Sequence, residues 1–191
     1  MNEINKQSKI EFNTPYLSGN ENKYIGQVLE NNYFAGNGPF TKRVHAFLEE
    51  NFVIPHVLLT HSCTAALEIT ALLLDIKPGD QVLLPSYTFV STASAYLRAG
   101  AELVFCEIDP DTMNIDVNDI EKRITKRSKA VVPVHYGGIG VDMLPLIQLA
   151  EQHGLIIIED AAQGLGAKIN NAGLGSIGSL GTISFHETKN I

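Results

Sequence analysis

Three groups of polar residues in this chain have types and spacing suited to chemistry on a bound ligand. Ser62-Cys63-Thr64 opens a helical pattern directly after an apolar run. Unpaired amides at a helix start, backed by the helix dipole, suit a phosphate, and the hydroxyls add donors. An ordinary helix cap uses the same residue types. Asp160 ends the run Leu155-Ile156-Ile157-Ile158-Glu159. Neighbouring strand side chains point to opposite faces, so Glu159 and Asp160 do not form the paired carboxylates of a glycosidase. A lone Asp at such a place can cap a turn, pair with a base, or hold a heteroaromatic nitrogen protonated. Gln163, one turn on, can reach the same ligand. Lys189 follows Ser184-Phe185-His186-Glu187-Thr188, close behind an expected strand over Gly181–Phe185. That context separates it from the solvated Lys6, Lys9, Lys122, Lys126 and Lys129. A lysine there can form a Schiff base and then shuttle protons.

Other signals carry less. Gly173-Leu174-Gly175-Ser176-Ile177-Gly178 matches G-x-G-x-x-G. It follows Asn171-Ala172 rather than a buried strand and opens no helix, so it reads as a glycine-rich connection. Histidines 45, 56, 61, 135, 153 and 186 show no ligand spacing, and no metal site is expected. Cys63 lacks an evident base, which favours a role through its backbone over a nucleophilic one.

The elements that must position these groups alternate. Short apolar runs at Val57–Thr60, Gln81–Pro85, Glu102–Cys106, Ala130–Val134 and Leu155–Glu159 read as strands buried on both faces. Helical patterns lie between them at Cys63–Leu74, Phe89–Arg98, Asp116–Ile124 and Asp142–His153, preceded by two more at about Asn20–Asn31 and Pro39–Asn51. Ser62 is the expected N-cap of the first of these, and Gly100 and Gly154 are expected terminators. The β-α-β-α order gives an α/β fold with a mainly parallel sheet and helices on both faces. Ligands bind such sheets at the carboxyl ends of the strands, where the three groups fall.

Composition sets the outer limits. The 191 residues carry 14 Lys and Arg against 21 Asp and Glu, a net charge of −7. That balance argues against a binder of nucleic-acid phosphates. Two cysteines, Cys63 and Cys106, make no disulfide framework and fit a reduced, cytoplasmic setting. No apolar run approaches the ~18–20 residues of a membrane span.

The order and spacing of Ser62-Cys63-Thr64, Pro85-Ser86-Tyr87-Thr88-Phe89-Val90-Ser91-Thr92, Glu159-Asp160-Ala161-Ala162-Gln163 and Ser184-Phe185-His186-Glu187-Thr188-Lys189-Asn190 is specific. It resembles the DegT-type sugar aminotransferases, pyridoxal-phosphate enzymes of fold type I, from about Phe12 to the last residue. The resemblance implies an N-terminal helical lead over residues 1–52 and, over 53–191, the cofactor-binding large domain without its C-terminal part or the small domain. Lys189 would hold the cofactor covalently and Asp160 would pair with its pyridine nitrogen. Gln163 would approach the ring hydroxyl, and Phe89, in preference to Tyr87, would stack on the ring. Cys63 and Thr64, mainly by backbone N–H, and Ser184 by its hydroxyl would bind the phosphate. His186 would line the sugar pocket.

The implied reaction takes the amino group of L-glutamate and delivers it to the C4 ketone of dTDP-4-keto-6-deoxyglucose, giving a 4-amino-4,6-dideoxy sugar for cell-surface glycans. A family branch that deoxygenates sugars has His in place of the lysine, so Lys189 points to transamination. A 3-keto nucleotide-sugar aminotransferase is the nearest alternative, and a truncated remnant that binds only cofactor or a partner is another. Family members are homodimers, and a homodimer is the expected assembly.

Overall fold

The computed structural model describes Glu11 and residues 13–189. Three helices lead: α1 (Glu21–Asn31), α2 (Pro39–Phe52) and α3 (Cys63–Leu73). Alternation follows with β1 (Gln81–Pro85), α4 (Val90–Arg98), β2 (Glu102–Cys106), α5 (Val117–Arg123), β3 (Ser128–Val131), α6 (Met143–His153) and β4 (Ile156–Ala161). A small hairpin, β5 (Lys168–Ile169) and β6 (Ala172–Gly173), leads into β7 (Leu180–Ile183). The main sheet runs β2-β1-β3-β4-β7, with every neighbouring pair parallel.

Period-two alternation along the buried strands builds a core on each face. Val82 and Leu84 of β1 pack with Leu67 and Ala71 of α3 and Ala95 and Tyr96 of α4. Leu83, between them, packs on the opposite side with Ile120 of α5 and Leu146 and Leu149 of α6. β3 divides Ala130 from Val131 in the same way, and β4 divides Ile158 from Ile157. Each of the Val, Leu and Ile side chains contributes about 1.5–3 kcal/mol on burial. Tyr96 brings a hydroxyl into the first core, where it meets the Thr70 hydroxyl at 2.8 Å.

Helix boundaries follow cap chemistry. The Ser62 hydroxyl accepts from the Ala65 amide at 3.1 Å and starts α3. Asp116 accepts from the Asn118 amide at 2.9 Å and starts α5. Phe89, expected inside a helix, is instead the extended N-cap residue of α4.

β4 covers Ile156–Ala161 rather than Leu155–Glu159, so Asp160 lies within it, β7 covers Leu180–Ile183 rather than Gly181–Phe185, and two other expected strands differ more. Val57–Thr60 is not a strand: the Val57 amide donates to Glu49 Oε1 at 3.0 Å and the Leu59 amide to His45 Nε2 at 2.9 Å. Side chains of α2 thus satisfy amides that a ladder would use. The third strand begins at Ser128 and ends at Val131 rather than running to Val134. Pro133 cannot donate, and the chain re-pairs only as a single bridge between Val134 and Asp160. Among the described residues no helix is long and apolar enough to cross a membrane, and no group of three or more His, Cys, Asp or Glu side chains could hold a metal ion.

Candidate active site

The carboxyl ends of β4 and β7 and the N-terminus of α3 converge on a cavity of about 890 Å³. Its lining includes Cys63, Thr64, Phe89, Asp160, Ser184, His186 and Lys189. These residues span most of the described chain, and the parallel sheet brings them together because its strands all point their carboxyl ends the same way.

Asp160 is 4% exposed. Its Oδ2 accepts from the Thr92 hydroxyl at 2.6 Å and its Oδ1 from the Ala162 amide at 3.2 Å. The Thr88 and Thr92 hydroxyls lie 2.7 Å apart and extend that chain by one link. Burial pushes the Asp160 carboxyl above its usual range, against the pull of Thr92 and Ala162. Both hydrogen-bond donors are neutral, and neither they nor the charge of Lys189 offsets the burial. Thr92 was not legible as a site residue: at a helix start, Thr reads as cap chemistry.

At the start of α3, Ser62 takes the Ala65 amide for itself. The Cys63 and Thr64 amides have no hydrogen-bond partner among the described residues and border the cavity. Burial, reinforced by the negative Asp160, pushes the Cys63 thiol up to about 11, so it stays protonated at neutral pH. A backbone role therefore fits better than nucleophilic attack. Ser184 is buried, and its Oγ accepts from the His186 amide at 3.2 Å.

Lys189 ends a tight turn whose amide donates to His186 O at 2.8 Å. The His186 ring turns toward Thr188 Oγ1 at 3.0 Å. Asn13, which the sequence did not mark, donates to Glu187 O at 2.8 Å and ties the N-terminal segment to this turn.

Phe89 is 71% exposed and borders the cavity. Tyr87 instead packs on Tyr136, ring centroids 4.4 Å apart. Gln163 lies outside the cavity lining, its Oε1 accepting from the Gly137 amide at 2.5 Å. Glu159 and Asp160 diverge as the strand period requires, Glu159 toward His135 and Asp160 toward Thr92.

A phosphorylated pyridine aldehyde fits this donor set. Two amides without partners at a helix N-terminus suit its phosphate, an amine suits its aldehyde, and a desolvated carboxylate with only neutral donors suits a protonated ring nitrogen.

Comparison with known proteins agrees. The chain is 32% identical over 177 residues to GDP-perosamine synthase from Vibrio cholerae, covering 93% of this chain and 48% of that protein. It is 43% identical over 168 residues to UDP-N-acetyl-3-dehydro-alpha-D-glucosamine 3-aminotransferase from Acidithiobacillus ferrooxidans, covering 87% and 45%. Its fold matches the Streptococcus pneumoniae protein Spr1654, described as a sugar aminotransferase and solved in its PLP form, with a TM-score of 0.88 and 29% identity over 95% of this chain and 50% of that one. Spr1654 is also solved in a PMP form, and pyridoxal phosphate is the cofactor these comparisons indicate. The chain spans about half the length of the curated relatives it matches. With residues 15–191 matching the DegT/DnrJ/EryC1/StrS aminotransferase family, this chain belongs to that family.

Proposed function

We propose that this chain is the cofactor-binding part of a nucleotide-sugar aminotransferase that moves an amino group from L-glutamate to the C4 ketone of dTDP-4-keto-6-deoxyglucose. The observation that carries the reading is Asp160, a nearly buried carboxylate with neutral donors only, on the same cavity as Lys189. Bound pyridoxal phosphate supplies an electron sink for the carbon that gains or loses the amino group.

The chain's own residues do the rest. Asp160 holds the proton on the ring nitrogen, and Thr92 and Ala162 keep its carboxylate aimed. Lys189 Nζ anchors the cofactor and, once released, moves a proton at the reacting carbon. The Cys63 and Thr64 amides and the Ser184 hydroxyl hold the phosphate. Phe89 covers the ring, His186 faces the sugar, and Gln163 offers its Nε2 to the ring hydroxyl, its Oε1 being engaged by Gly137. A second copy of the chain is the proposed partner.

A 3-keto nucleotide sugar is the second reading, favoured by the 43% identity to a 3-aminotransferase. Turnover with L-glutamate and each keto sugar in parallel separates them. The first reading predicts product only from the 4-keto sugar, and product only from a 3-keto sugar contradicts it.

A further inference from the structure

Glu159 is fully buried and takes no part in the roles above, yet it is the most heavily bonded carboxylate next to the site. Its Oε2 accepts from His135 Nε2 at 2.8 Å and from the Gly175 amide at 2.9 Å. Its Oε1 accepts from the amides of Ile177 at 2.6 Å and Gly178 at 2.5 Å. His135, equally buried, accepts the Val141 amide at Nδ1, 3.1 Å away. That contact leaves a ring proton on Nε2, which His135 donates to Glu159. Burial disfavours the charge, but His135 and the amides of Gly178 and Gly175 outweigh it and hold the carboxyl below its usual range. Successive amides curled around an anion form a nest. The glycine-rich segment is therefore an anion cradle after all, and its anion is the protein's own.

Three site-bearing segments meet at this carboxylate. Strand β4 carries Asp160 as the next residue. The loop after β3 runs from His135 to Gly137, whose amide holds Gln163. The segment 173–178 feeds β7 and, beyond it, Ser184 and Lys189. A Cβ on Gly181 of β7 would stand 1.9 Å from the Gly175 carbonyl oxygen, so loop and strand touch backbone to backbone. β7 in turn pairs with β4, Thr182 opposite Asp160. A loop that shifts off Glu159 must carry β7 with it.

We propose that Glu159 is a positioning residue: gripped by His135 and the 173–178 loop, it fixes the strand that leads to Ser184 and Lys189 against Asp160 on β4. The proposal rests on the pyridoxal phosphate reading of the cavity, because that ligand must reach Asp160, Ser184 and Lys189 at once.

The test compares wild type with Glu159→Gln, whose amide nitrogen cannot accept the N–H groups it would face. Amide hydrogen exchange and pyridoxal phosphate binding, read from its visible band, are measured on the chain as encoded. Exchange is expected to quicken through 173–189 and stay unchanged over 81–106, while cofactor affinity falls about tenfold or more. Faster exchange confined to 173–178, with affinity within about twofold of wild type, overturns the proposal. Should Glu159→Gln not fold, His135→Phe carries the same test, since it removes one donor and leaves the carboxylate, the loop and β7 unsubstituted. A wild-type chain that takes up no pyridoxal phosphate while the variant's exchange quickens through 173–189 contradicts the cofactor reading and supports the clamp.

Discussion

Burial penalises the charge on both Asp160 and Glu159, and only Glu159 receives enough donors to offset it. The difference has a definite sign with pH. Asp160's folded pKa lies above its ordinary 3.8, so the folded chain keeps that proton to higher pH than the unfolded chain. Below 3.8 both states are protonated and the buried charge costs nothing; the penalty grows as pH rises through the folded value. Without cofactor, Asp160→Asn should therefore melt higher than wild type at neutral pH, and the gap should close in acid. A gap that does not vary with pH contradicts that account. At this scale the sequence showed what is local. Asp160, Lys189, Cys63 and Thr64 each stand out by position at a strand end or helix start. Thr92 did not, because its partner Asp160 is 68 residues away. Nor did Glu159, whose donors lie 16 to 24 residues off and become its neighbours only through folding.

The element that matters most to the site is α3, because its first amides face the cavity and its cap decides which of them are spoken for. Ser62→Ala removes the acceptor for the Ala65 amide and should cost about 1 kcal/mol in urea unfolding, with Ser62→Gly losing only a few tenths. Ser62→Ala leaving stability unchanged would show that the hydroxyl is not the cap. β1 and β2 begin and end where expected, because an apolar run bounded by turn residues contains its own limits, but β2, at the sheet edge, leaves Glu102 and Phe105 exposed instead of buried on both faces. Val57–Thr60 has the same composition, yet its amides are taken by Glu49 and His45 of α2. Whether an extended run becomes a strand depends on a neighbour, and composition says nothing of neighbours. The glycine-rich segment reads from its flanks as a connection; that it encircles Glu159 was not legible.

Across the whole molecule, stability concentrates in the two layers flanking the sheet. Ile158→Ala, a fully buried residue of β4, should lose about 2–5 kcal/mol. Leu29→Ala on α1, a helix without a buried residue, should stay within about 0.5 kcal/mol. Similar losses at both positions would contradict a core confined to the sheet and its covering helices. The same sheet gathers Cys63, Asp160 and Lys189 at one end, where they line one cavity for one ligand. Borohydride reduction of the chain with pyridoxal phosphate, followed by peptide mass mapping, tests it most directly. One phosphopyridoxyl group on Lys189, and none after Lys189→Ala, is the expected result; a wild-type chain labelled on other lysines, or not at all, contradicts a shared cofactor site.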